Sequence, residues 1–107
     1  MQISKLTDFH RGWIIGDFSP ALVKSKVFEV GLLTHLKGER WPKHFHAVAT
    51  EYNVLVSGRM TINGIEIVQG DVFVIEPGEV ADPFFDEDCL VLCIKIPSMP
   101  MDKYESV

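Results

Sequence analysis

Hydrophobic residues in this chain fall in short runs, many alternating with polar ones, and the runs are separated by turn residues. Val27 to Leu36 is rich in β-branched and large apolar side chains, and Tyr52 to Val56 is a second such run closed by Ser57-Gly58. Met60-Thr61-Ile62 and Ile65-Glu66-Ile67-Val68 flank Asn63-Gly64. Asn-Gly between two alternating runs signals a hairpin, because both turn residues tolerate positive φ. Asp71 to Ile75 stops at Pro77-Gly78, Phe84-Phe85 is brief, and Leu90 to Ile96 is the last long run. Strands this short, punctuated at Gly38, Gly58, Gly64, Gly70, Gly78 and Pro97, predict an antiparallel sandwich or barrel. No helical period follows residue 26, and Ser19 to Val23 is expected to form at most one helical turn. Residues 1–26 read as an N-terminal arm packed on the sheets, 27–97 as the β core and 98–107 as a short tail. With 107 residues there is room for one domain.

Alternation also assigns faces. If Glu51 points inward, Asn53 and Leu55 share its side, and Tyr52 and Val54 point away. Phe73 and Ile75 share one face of their strand, Val72 and Val74 the other. One face should line a cavity, and the opposite face should meet a second sheet or a partner chain.

Composition narrows the class. Hydrophobic residues make up 47% and charged residues 23%, the balance of a globular domain rather than a disordered chain or bare coiled coil. Fifteen acidic and ten basic residues give a net charge of -5, which repels a phosphate backbone, so no nucleic-acid role is expected. No apolar run approaches the ~18–20 residues of a membrane helix. The opening Met1-Gln2-Ile3-Ser4-Lys5 lacks the pattern of a secretory signal. Cys89 and Cys93 lie on one predicted strand, ~13 Å apart, too far to bridge each other. Two buried free thiols of raised pKa are expected, in keeping with a cytoplasmic location.

The stretch with chemistry is Gly38 to Gly58. His44 and His46 are two apart, so on a strand both imidazoles face one side. Glu51 opens the next strand after four residues, close enough for a hairpin return to bring its carboxylate against them. Two imidazole nitrogens and one anionic oxygen suit a divalent transition metal. His10 and His35 stand apart from this set and read as surface or satisfied core residues. Arg40 and Lys43 lie beside Trp41 in the preceding loop and are candidates for greeting an anionic substrate, although a solvated turn with Trp41 anchored on the core is the simpler account. Asn53 is a candidate to orient Glu51 or to bind a ligand. Asp86-Glu87-Asp88 reads as a solvated hairpin tip.

This stretch resembles the first motif of the cupin superfamily: glycine, five residues, His-x-His, three or four residues, glutamate, six residues, glycine. Gly38, His44, His46, Glu51 and Gly58 occupy every fixed position. The second cupin motif is degenerate here. Gly70 and Gly78 fit, but Glu76 replaces the first proline, Ala81 the third histidine ligand and Phe85 the asparagine. The resemblance implies an all-β, jelly-roll β-barrel with the pocket in its mouth, a bound metal such as iron, manganese, zinc or nickel, and a homodimer. Three ways of meeting the missing histidine stay open. Asp82, one position later, could substitute if the strand bulges there; His44, His46 and Glu51 could bind alone with water; or the pocket could work without metal. Two functions follow: a metal-dependent enzyme acting on a small polar metabolite (an isomerase, dioxygenase or decarboxylase), or a non-catalytic module binding a sugar, nucleotide-sugar or carboxylate. No phosphate-binding Gly-rich loop, Gly-x-Ser-x-Gly elbow or His-Glu-x-x-His motif is present.

Overall fold

The computed structural model describes all of residues 1–107. Two 3-10 turns, Leu6–Asp8 and His10–Gly12, lead into β1 (Trp13–Gly16), β2 (Val23–Lys24) and β3 (Glu29–His35). Then come β4 (His44–Phe45), β5 (Thr50–Ser57), β6 (Arg59–Ile62), β7 (Ile65–Val68), β8 (Val72–Ile75), β9 (Pro83–Phe85), β10 (Cys89–Ile96) and β11 (Tyr104–Glu105). A six-stranded sheet has the order β2-β1-β3-β10-β5-β8. Against it lie β7-β6-β9 and the pair β11-β4. Isolated bridges Arg40–Phe84 and His44–Ala81 stitch β4 and its approach to the smaller sheet. The result is a cupin-type jelly roll. No helix is long and apolar enough to cross a membrane.

Register decides what the inner face of the large sheet presents. Across β10 and β5, Val91 faces Leu55, Cys93 faces Asn53 and Lys95 faces Glu51. Across β10 and β3, Lys95 faces Glu29. One end of this face is therefore apolar and the other charged. At the apolar end Leu55, Met60, Phe85, Cys89 and Val91 form the buried core, with Trp41, Ile62, Ile67 and Phe73 packed against it. At the charged end the sheets leave a cavity.

The outer face carries two uncharged rows. Val30, Ile94, Tyr52 and Val74 are register partners in turn, as are Leu32, Leu92, Val54 and Val72. Val72 is 69% exposed, Val74 44% and Tyr52 42%, so the β5–β8 side of that face stands open.

The Asn63-Gly64 hairpin forms with both residues at positive φ, 52° and 78°, between Ile62 and Ile65. Two expectations need correction. Ser19 to Val23 forms no helical turn. Pro20 cannot donate to a helix and biases Ser19 away from helical φ/ψ, and Leu22 N–H donates instead to Ile14 O at 2.8 Å, leading into β2, which pairs parallel with β1. The first 26 residues thus contribute two strands to the large sheet. Asp86-Glu87-Asp88 is a crossing between sheets rather than a hairpin tip, since β9 and β10 belong to different sheets. Asp86 accepts from Thr61 Oγ1 and Asp88 from Lys37 N–H, both at 2.8 Å.

Gly58 turns the chain from β5 into β6 at φ +97°, and a Cβ there would stand 2.3 Å from Asp88 O. Gly64 also has positive φ, but its Cβ position is open. Gly64→Ala should cost about 1–2 kcal/mol, the left-handed penalty alone. Gly58→Ala should cost clearly more, because backbone must move. Urea midpoints of the two variants check this ranking.

Candidate functional site

A cavity of about 390 Å³ opens at the charged end of the inner face. That is the size of a small-molecule pocket. Glu29, Lys95, Cys93, Glu51 and Asn53 reach it from the sheet, and His44 and His46 close it from β4 and the residue that follows. Phe73, Ile75, Phe85 and Val91 supply an apolar wall.

The two histidines are held from behind by backbone carbonyls. His44 Nδ1 donates to Pro42 O at 3.0 Å, and His46 Nδ1 donates to Asp102 O. With Nδ1 held by a carbonyl, Nε2 of each ring is the nitrogen turned to the cavity. The rings meet edge to face with centroids 5.6 Å apart. His46 Nε2 lies 3.1 Å from Glu51 Oε2. Burial would raise the Glu51 pKa, but the hydrogen bond from His46 and the charge of Lys95 outweigh it and hold this carboxyl at about 2. Burial lowers the pKa of His44, and the positive charge of Lys103 adds to that. Cys93, two residues from Lys95 and facing Asn53, is a thiol that burial and the charge of Glu51 push well above its usual pKa. Cys89 and Cys93 are both free and buried.

The loop between His46 and β5 is organised from far along the chain. Asp102 is 3% exposed, and its carboxylate accepts the N–H groups of Ala47, Val48 and Ala49 at 2.8, 3.0 and 2.9 Å. Burial opposes the charge, but these three donors prevail and keep its pKa below the usual value. One tail residue thus orients His46 through its carbonyl and shapes the following loop through its side chain.

Of the candidate residues, His44, His46, Glu51 and Asn53 come together at the pocket. Asn53 is 2% exposed, and its Nδ2 has no hydrogen-bond partner. Asp82 does not join them. Ala81 and Pro83 line the cavity, and Asp82, between them, takes the other side of the chain. Its backbone N–H is fixed by Asn63 Oδ1 at 2.8 Å. Asp82 therefore does not stand beside His44, His46 and Glu51, as the substitute-ligand expectation needed. Arg40 and Lys43 also point elsewhere: the Arg40 guanidinium covers the Phe84 ring at 5.0 Å, and Lys43 is exposed outside the cavity. The cations that do line it are Arg11, Lys95 and Lys103. His10 and His35, expected as surface or satisfied core residues, also border the cavity. His35 stacks on Phe85 with centroids 4.1 Å apart and pairs with Glu39, which also accepts from Trp41 Nε1 at 2.7 Å.

Alternation from Cys93 and Val91 would have put Lys95 on the inner face. Glu29, 3% exposed, shares its row. Arg11, Asp102 and Lys103 lie in the arm and tail, where no periodic signal marks a side.

No protein-family model matches this sequence, and neither does any curated protein sequence. Solved structures do match in shape. A Klebsiella pneumoniae protein with a double-stranded β-helix domain superposes with a TM-score of 0.72 at 16% identity, over 98% of this chain and 91% of that one. A cupin-superfamily sugar phosphate isomerase of Silicibacter pomeroyi gives 0.61 at 20% identity, over 75% and 57%. The fold is that of a cupin. The pirin YhhW of Escherichia coli, solved with nickel(II), superposes on this cupin fold with a TM-score of 0.68 at 21% identity. The match covers 82% of the present chain but only 39% of the pirin.

Within this cupin fold the donor set is incomplete. Ala81 puts a methyl group at the usual third-histidine position, and no three His, Cys, Asp or Glu side chains are grouped closely enough to share an ion. The chemistry of the pair His46–Glu51 nevertheless suits a cation. Both ring nitrogens of His46 face oxygen acceptors, Asp102 O and Glu51 Oε2. That arrangement needs positive charge, either a second ring proton or a metal ion between Nε2 and the carboxylate.

Removing the Asp102 carboxylate leaves three N–H donors unmatched, the buried one of Ala49 among them, so Asp102→Ala should lose about 3 kcal/mol of stability by denaturant titration. The acid limb follows from Glu51 and Asp102, whose pKa values are lowered on folding. Their stabilisation is complete above the ordinary carboxylate range and drains away as pH falls from about 4.5 toward 2. Glu51→Gln should flatten that limb in unfolding curves recorded at stepped pH.

Proposed function

We propose that this protein binds a small polar metabolite in the inner-face pocket, beside a divalent transition metal held by His44, His46 and Glu51. The observation that carries this reading is His46, whose two nitrogens both face oxygen. A metal between Nε2 and Glu51 would meet that demand without a buried imidazolium. The two carbonyls behind His44 and His46 support the same ligand geometry, since they leave Nε2 of each ring free to bind. Two imidazoles and a carboxylate are the donor types that iron enzymes use, and Ala81 would leave a position for water or substrate. When bound, such an ion supplies Lewis-acid polarisation of a coordinated oxygen. The chain's own contribution is to bury Glu51 in its ionised form, orient both rings, and set an apolar wall of Phe73, Ile75 and Val91 against the polar floor. The nickel(II) of the E. coli pirin agrees with a transition metal in this fold.

A metal-free binding module is the second reading. It is favoured by Ala81 and by the lack of a third close donor. Protein prepared without chelator and reconstituted with iron, manganese, zinc or nickel should hold near-stoichiometric metal by elemental analysis. His44→Ala and His46→Ala should each lose most of it, and Asp82→Ala should lose none. Metal-free protein after reconstitution selects the second reading.

The uncharged outer rows suit a second copy of this chain, because only another uncharged face matches them and the chain itself supplies one. A homodimer by light scattering, broken by Val72→Lys, is the expected result.

A further inference from the structure

We infer that the mouth of this pocket is an oxyanion subsite, formed by Arg11 and Lys103 over Trp41 with Lys95 beside them over Trp13, for the carboxylate or phosphate of a small molecule with an apolar body. The inference rests on the reading of this cavity as the functional site and names the class of ligand it takes.

The chain is acidic, at -5 overall, yet three of its cations converge on one cavity. They come from three separate segments: the N-terminal arm, β10 and the C-terminal tail. None of the three has a carboxylate within ion-pair distance, whereas Arg59, at the surface, lies near both Glu66 and Glu87. Lys95 has Glu29 and Glu51 as its cross-strand neighbours, which offset part of its charge. Glu51 and Glu105 offset part of the charge of Lys103 without pairing with it. Arg11 and Lys103 are stacked over Trp41, the guanidinium 4.6 Å and the ammonium 4.0 Å from the ring centroid. Trp41 is fixed in turn by its hydrogen bond to Glu39. Two cations on one indole repel each other, and an anion within reach of both would relieve that repulsion. The pKa of Lys103 is already lowered by burial and then by the charges of Lys95 and Arg11, consistent with this crowding.

Arg11 is held there at a cost. Its φ is 54°, a left-handed conformation that a residue with a side chain adopts reluctantly. The next residue, Gly12, lies so close to β3 that a Cβ on it would stand 2.1 Å from Leu32 O. The arm is therefore clamped to the sheet at this point, and the clamp aims Arg11 at the pocket. Beyond the cations the wall becomes apolar, through Phe73, Ile75 and Val91. An organic acid or organic phosphate fits that gradient, with the anion outward and the carbon body inward.

Isothermal titration of the metal-reconstituted protein with benzoate, phenyl phosphate and the neutral isostere benzamide tests this. Benzoate or phenyl phosphate should bind at least tenfold more tightly than benzamide, and the preferred one identifies the anion. Added salt should weaken that binding. Arg11→Gln with Lys103→Gln should remove the preference. Arg40→Gln with Lys43→Gln, outside the cavity, should leave it intact. Equal binding of benzoate, phenyl phosphate and benzamide, or no effect of the Arg11/Lys103 pair, overturns the inference. If metal is retained while no anion is preferred, the subsite alone fails. If the protein takes up neither metal nor any of the three compounds, the pocket reading fails with it.

Discussion

The register of β3, β10, β5 and β8 is the constraint on which the rest of the molecule depends. In a sheet, one residue of slip sends every side chain to the opposite face. As it stands, Leu55 and Val91 meet at one end of the inner face, and Glu29, Lys95 and Glu51 line up across three strands at the other. The same pairing gives the protein a core and a polar pocket on a single surface. The apolar end can be sealed by Met60 and Phe85 from the smaller sheet. The charged end cannot be sealed without burying unpaired charge, and there the structure leaves a cavity.

That cavity is completed by the two ends of the chain. The tail brings Asp102 back to the loop after His46, where its carboxylate gathers three successive N–H groups and its carbonyl sets the ring. The arm brings Arg11 to Trp41. Sequence separation of more than fifty residues lies between Asp102 and the groups it holds. The most exacting geometry in the molecule is thus assembled from its least regular segments, braced by short strands such as β11 against β4.

Much of the strand plan was legible because it is a local property. Alternation marked the inward faces of β5 and β8, Asn63-Gly64 marked the hairpin, and the His-x-His spacing put two imidazoles on one side. Asn53 followed from Glu51 by the same period. Errors arose where local pattern says little. Asp82 was a substitute ligand only if the strand bulged, and Ala81 and Pro83 facing the cavity leave it on the other side. Arg40 and Lys43 lie close to His44 in sequence, but their loop directs them over Phe84 and into solvent.

What the sequence determined by itself was the β architecture, the faces of its longer strands and the meeting of His44, His46 and Glu51 at one cavity, all consequences of a two-residue period and fixed spacings. Only the tertiary structure decided that Asp102 anchors the site, that Arg11, Lys95 and Lys103 rather than Arg40 and Lys43 charge its mouth, and that the β5–β8 side of the outer face stands open. The physical reason is range. Side-chain direction within a strand is set by neighbours two residues away, whereas the partners of an arm or tail are set by where a chain of 107 residues returns in space.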